Sequence, residues 1–166
     1  MRIEEEIKLD YSDVLFRPKR STLKSRKDVD LNRKYIFKHS KLSWKGTPII
    51  ASNMDGVGEI AVAKKLSSHN LMTALTKQHD IDQIGSIIKN NKLLDSVALS
   101  CGTSPDSYSR LNKILKKYPK FKFICIDVAN GYSENFSYFV SEVRKKYPKK
   151  TIIAGNVVTA DMTQEL

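Results

Sequence analysis

Lys77 and Asp127 are the pair of charged residues in this chain best placed to do chemistry together. Each follows a short apolar run. Leu71-Met72-Thr73-Ala74-Leu75 leads into Thr76-Lys77-Gln78-His79, and Lys122-Phe123-Ile124-Cys125-Ile126 leads into Asp127-Val128-Ala129-Asn130-Gly131. The other apolar runs end in the same manner, in Ser52-Asn53-Met54-Asp55-Gly56, in Ser100-Cys101-Gly102-Thr103 and in Gly155-Asn156. An ammonium and a carboxylate on nearby strand tips can pair, hold a substrate and pass protons. The plainer alternative is an ion pair with a structural role and loops that are polar because turns need Gly and Asn. Repetition of the pattern at the same end of every run favours a shared functional rim, since parallel α/β folds gather their chemistry past the C-terminal ends of their strands.

Other candidate groups carry less. Cys101 sits at a strand tip, where a nucleophile would sit, but has no base or activating group nearby in sequence. Cys125 alternates within an apolar run and is expected in the core. His39, His69 and His79 show no metal-ligand spacing, and no metal is expected on them. There is no G-x-G-x-x-G fingerprint and no P-loop lysine pattern; Gly56-Val57-Gly58 is too short a match to count.

The elements that would position these tips follow from periodicity. The apolar runs begin at residues 47, 71, 96, 122 and 151. Each is too short for a helix and too continuous for a strand with one wet face, which is how buried parallel strands read. Helical stripes lie between them: Ile60, Ala61, Ala63 and Leu66; Ile81, Ile84, Ile87 and Ile88, with Asp80 as N-cap; Tyr108, Leu111, Ile114 and Leu115; and Phe136, Phe139, Val140 and Val143, with Ser133 as a possible cap. Residues 161–166 open a further helical turn. Strand and helix alternate, which means an α/β fold with a parallel sheet. Both a doubly wound sheet and a (β/α)8 TIM barrel fit the beat. A barrel takes eight units and about 250 residues. Residues 47–166 therefore read as about the first five βα units of an interrupted barrel, preceded by a basic arm over residues 1–46.

Composition bounds the function. Hydrophobic residues make up 40% and charged residues 28%, a globular profile. No apolar run approaches the ~20 residues that span a bilayer. The acidic start, residues 1–6, lacks the apolar centre of a signal peptide, so a cytoplasmic protein is expected. Two cysteines make neither a disulfide framework nor a zinc site. The net charge of +11 favours anionic partners. The lysines are spread in pairs such as Lys64-Lys65 and Lys116-Lys117, on the polar sides of predicted helices, which points to solvated faces rather than a nucleic-acid surface. The exception is the basic segment from Arg17 to Lys27.

Several long segments carry a resemblance. Residues 10–26, Asp10-Tyr11-Ser12-Asp13-Val14-Leu15-Phe16-Arg17-Pro18-Lys19-Arg20-Ser21-Thr22-Leu23-Lys24-Ser25-Arg26, resemble the N-terminal segment of the GMP reductase family. So do Pro48-Ile49-Ile50-Ala51 with Asn53-Met54-Asp55, residues 125–134 from Cys125 to Glu134, and Ala154-Gly155-Asn156-Val157-Val158-Thr159. IMP dehydrogenases share the barrel but usually carry regulatory modules after the second strand, whereas only residues 78–95 separate Lys77 from Ser96 here.

The resemblance implies a TIM barrel in a homotetramer that converts GMP to IMP and ammonia with NADPH. A cysteine thiolate attacks the purine, one hard substitution becoming two easier steps. By the same resemblance Lys77, Asp127, Val128 and Ala129 match cofactor-contacting positions, and Lys77 and Asp127 support catalysis. Ser25 and Arg26 match an arm that reaches a neighbouring subunit's cofactor. The family's nucleophilic cysteine and its potassium site match nothing within residues 1–166, so this chain alone is expected to be inactive and to fold poorly. The family usually has threonine at Gly56 and histidines at Thr76 and Gln78. A competing class is a non-enzymatic barrel remnant that binds nucleotides or nucleic acid through its basic charge, steeply weakened by salt.

Overall fold

The computed structural model describes Glu5, Ile7 and residues 9–166; the rest of the acidic start lies outside the described residues. The chain divides into two compact units, residues 1–30 and 31–166. In the first, Tyr11–Asp13 and Arg26–Asp28 form single 3-10 turns, each closed by a capping box from Asp10 or Ser25.

The second unit opens with a feature that periodicity does not reveal. Residues 33–46, read from sequence as part of the basic arm, form an antiparallel hairpin of β1 (Arg33–Ile36) and β2 (Ser43–Gly46). Its two strands are short and carry Arg33, Lys34 and Lys45, so they lack the apolar signature of the others. The hairpin contributes Trp44, which is buried against Met72, Ala74, Ala98 and Phe123, with the Phe37 ring edge-on to Phe123 at 5.7 Å. The Ser40 hydroxyl also bonds that of Thr151 at 2.7 Å. Met72, Phe123 and Thr151 begin their strands, so the hairpin covers the N-terminal end of the sheet.

The five expected strands follow as β3 (Ile50–Ala51), β4 (Met72–Leu75), β5 (Val97–Cys101), β6 (Phe123–Asp127) and β7 (Thr151–Gly155). All neighbours are parallel, and the order in the sheet is the order in the chain. That order separates the two architectures left open by the sequence. A doubly wound sheet reverses strand order at its switch point and carries helices on both faces. Here no reversal occurs, and the helices pack on one face only. Leu75, Val97, Leu99, Cys101, Ile124 and Ile126 point to them. The opposite face, with Ala74, Ala98, Cys125 and Ile153, is the concave interior of a curling barrel.

The helices are α1 (Ile60–Ser68), α2 (Ile81–Gly85), α3 (Asn91–Leu94), α4 (Pro105–Lys117), α5 (Glu134–Lys146) and α6 (Ala160–Glu165). Asp80 caps α2 by accepting from Gln83 N at 2.7 Å, and Ser133 caps α5 by accepting from Phe136 N at 3.2 Å. The stripe from Ile81 to Ile88 is not one helix: α2 tightens after Gly85 into a 3-10 segment, Ser86–Lys89, and α3 follows. After the loop of residues 76–80, these three short pieces make up most of the connection from β4 to β5. None of the helices is long and apolar enough to cross a membrane among the described residues.

Candidate functional site

Because the strands are parallel and in register, the tips of β4, β5 and β6 meet at one rim. Lys77 Nζ lies 3.2 Å from a carboxylate oxygen of Asp127 and donates to the Asp127 carbonyl at 3.1 Å. The two side chains are 41% and 33% exposed, so the pair stands at the mouth of the barrel, open to a ligand. Gly102, at the tip of β5, lies beside the pair: a Cβ there would sit in ordinary contact, 3.8 Å from Lys77 Nζ. Its N–H donates to Ser107 Oγ at 2.8 Å, which fixes the β5 tip to the first turn of α4.

The loop that carries Lys77 is held on both sides. Thr76 N donates to the Gly58 carbonyl at 2.9 Å. His79 Nε2 lies 3.2 Å from that carbonyl and 3.4 Å from a Glu59 carboxylate oxygen. Both neighbours are acceptors, so Nε2 carries a hydrogen. From α4, Arg110 donates to the His79 carbonyl; burial pulls its guanidinium pKa down. The Thr76 hydroxyl, buried beside Lys77, makes no hydrogen bond.

Asp127 is the last residue of β6, paired in register with Gly155. Val128 extends that pairing through its N–H to Gly155 O and its carbonyl from Asn156 N, both at 2.8 Å. Val128 is half-buried and Ala129 exposed. A cleft of about 310 Å³ opens on the concave face beside this segment, lined by Ala51, Asn53, Cys125, Asp127, Gly155 and Asn156 among others.

Cys101 is fully buried on the helix-facing side of β5. Burial pushes its thiol up to about 12, the opposite of what a nucleophile needs. Cys125, expected in the core, packs half-buried against the core cluster of the concave face and also lines the cleft. Its thiol too is raised by burial. Ser25 and Arg26 lie in the first unit, both exposed. Ser25 Oγ accepts from Lys27 N at 3.2 Å, and Ser25 N donates to Asp28 at 3.0 Å.

Sequence reasoning finds the rim residues but not their supports. Gly58 with Glu59, His79, and Arg110 fall in three separate segments and share no motif. Only a network joins them.

Comparison with known proteins agrees with this architecture. Residues 8–166 match the model of the IMP dehydrogenase / GMP reductase domain. The chain is 51% identical over 168 residues to GMP reductases of Shigella boydii serotype 4 (strain Sb227) and Escherichia coli O1:K1. Those alignments cover 100% of this chain and 48% of each relative, so the chain spans about half the length of the curated relatives it matches. The crystal structure of inosine 5'-monophosphate dehydrogenase from Legionella pneumophila superposes with a TM-score of 0.72 at 25% identity, covering 93% of this chain and 46% of that one. The match over residues 8–166, with five sequential parallel strands as its frame, places the chain in the IMP dehydrogenase / GMP reductase family.

Proposed function

We propose that this chain serves NADPH-dependent reductive deamination of GMP, within purine nucleotide interconversion, in a cytoplasmic homotetramer. GMP, NADPH and two protons give IMP, NADP+ and ammonium. The observation that carries the reading is the 51% identity to GMP reductases along the entire chain. The short β4–β5 connection is consistent with it, since α2, the 3-10 segment and α3 leave no inserted module.

The rim fits the cofactor. A nicotinamide carboxamide offers one donor group and one acceptor, and here a carboxylate and an ammonium stand 3.2 Å apart at an open mouth. Gly102 and Ala129 put little bulk in the way. When bound, NADPH supplies the hydride. Lys77 and Asp127 hold the ring, and Lys77 delivers a proton to the departing ammonia. Val128 and Ala129 line the cofactor's flank. Ser25 and Arg26 serve a neighbouring subunit's cofactor, the guanidinium fork suiting the extra phosphate of NADPH. The nucleophilic thiolate is assigned outside residues 1–166 on the resemblance, and Cys101, buried on the helix-facing side of β5, faces away from the rim. The family's potassium site is assigned outside them as well.

The test joins this chain to the remaining half of the Escherichia coli GMP reductase. The chimaera should oxidise NADPH only when GMP is present and release ammonia in equal amount, whereas the 166-residue chain alone should do neither. A folded chimaera that ignores GMP, or that instead reduces NAD+ with IMP, would sink the reading.

A further inference from the structure

Beyond the Lys77–Asp127 pair, one side chain joins two rim loops. Tyr132 lies on the β6–α5 loop, a few residues after Asp127, and its hydroxyl reaches the β7–α6 loop. There it accepts from Val158 N at 2.8 Å and from Thr159 N at 2.9 Å, and donates to Thr159 Oγ1 at 3.2 Å. Thr159 is the N-cap of α6, its Oγ1 accepting from Met162 N. At the other end Tyr132 N donates to Asn130 Oδ1 at 3.0 Å, which folds residues 130–132 into a tight turn. Between these ends, Gly131 N donates to Asn156 O at 2.9 Å. Gly131 is also pressed against the neighbouring loop: a Cβ there would stand 2.7 Å from Asn156 O and 2.8 Å from Val157 Cγ1.

The ring itself is only half covered, and the fold does not need it for its core: Tyr132 is 44% exposed. A hydroxyl that satisfies three polar groups from an exposed ring acts through geometry rather than burial. We infer that Tyr132 is a positioning residue, whose hydroxyl latches the loop carrying Asp127, Val128 and Ala129 to the loop after β7 and so sets the cofactor-side rim. This rests on the proposed NADPH function for its kinetic consequence, and on geometry alone for the latch.

Tyr132→Phe keeps the ring and removes all three bonds. In the chimaera, KM for NADPH should rise about tenfold while kcat stays within about twofold, because the loop is mispositioned for binding rather than stripped of a reacting group. Thr159→Val removes the Oγ1 that accepts from the Tyr132 hydroxyl, together with its cap on Met162 N, and should raise KM by about twofold to threefold. Tyr138→Phe, on an exposed position of α5, should leave both constants unchanged. Amide exchange read on the same proteins isolates the latch. In Tyr132→Phe it should quicken over residues 128–131 and 156–159 and nowhere in β4 or β5. A purely structural tyrosine would lower the melting temperature and leave KM and this local pattern alone, which overturns the inference. If the unmutated chimaera folds but is inactive, the functional reading fails separately. The exchange pattern, or that of Thr159→Val if Tyr132→Phe does not fold, still decides the latch.

Discussion

One ammonium grips both ends of one aspartate: Lys77 Nζ sits 3.2 Å from the Asp127 carboxylate and 3.1 Å from the Asp127 carbonyl. The tip of β4 is thereby tied across β5 to the tip of β6, and the carboxylate is aimed into the mouth of the barrel. So open a pair contributes little to stability, about 0–1 kcal/mol, because solvent screens it.

Its removal should therefore show in activity, not in folding. Lys77→Met in the chimaera is expected to cut kcat about 100-fold or more, the usual scale for a lost proton donor. The urea midpoint should barely move. Lys77→Arg should not restore activity, since a planar fork cannot place a point charge where the ammonium sits. Steady-state kinetics beside a denaturant curve checks both halves. An inactive variant with a large drop in stability would mean that the pair is structural.

Cys101 should make the chain sensitive to alkali. Burial raises its thiol pKa from 9.0 to about 12. The folded state keeps its proton longer than the unfolded state does. The associated stability is complete below pH 9 and is lost as pH rises toward 12. Cys101→Ala should flatten that part of the stability–pH curve, at the cost of a small cavity at neutral pH. Alkylation of Cys101 at pH 8 should likewise follow unfolding and not precede it. Rapid labelling of Cys101 in the folded chain would contradict the burial argument.

Much of this was legible in the sequence, for identifiable reasons. The runs of β4 and β5, buried at every position, announce themselves because strands covered on both faces leave no polar alternation, and the runs of β3 and β7 read the same way although they are only partly covered. Their polar tips fall on one rim once the strands are parallel. The hairpin of residues 33–46 is hidden because only alternate residues of one strand, Trp44 and Gly46, are buried while Lys34 and Lys45 face out. The break after Gly85 is equally hidden, since Ile84, Ile87 and Ile88 fit a continuous helix as well as they fit α2 followed by a 3-10 turn. That Cys125 also lines the cleft is not legible, because an apolar run does not say which face will be concave. The supports of Lys77 are invisible for a deeper reason: apart from the contact of His79 with the Glu59 carboxylate they are bonds to carbonyls, and every residue has one.

Trp44 should be the hairpin's main anchor. It is buried against the first residues of the strands and stacks on Tyr35 with ring centroids 6.3 Å apart. Trp44→Ala should cost ~3–5 kcal/mol, the range for deleting a large buried aromatic. Urea unfolding should register this, with the greatest gain in amide exchange over residues 33–46 and at the starts of β4 and β6. Residual activity of the folded fraction should be near normal, since the rim lies at the opposite end of the strands. A loss below about 1 kcal/mol would mean that the hairpin is held by its other contacts.

Gly56 and Gly58 sit two residues apart and should respond to the same substitution in different ways. Gly56 has a φ of 76° with nothing within 4 Å of a would-be Cβ, so alanine there strains only the backbone, by about 1 kcal/mol. A β-branched threonine would be worse in this conformation. Gly58 has no such φ, but a Cβ would stand 2.7 Å from the Ala74 carbonyl and 2.9 Å from Thr76 N. Alanine must push the β3–α1 loop off β4, which costs ~1–3 kcal/mol as overpacking. The displaced groups are the Gly58 carbonyl that binds Thr76 N and His79 Nε2, and Lys77 lies between those two residues. Gly58→Ala should thus lower kcat in the chimaera about tenfold beyond any loss of folded protein, as a small misplacement of a reacting group does. Gly56→Ala should lower the melting temperature and leave kcat alone. Equal kinetic effects at the two glycines would show that the Gly58 carbonyl does not set the position of Lys77.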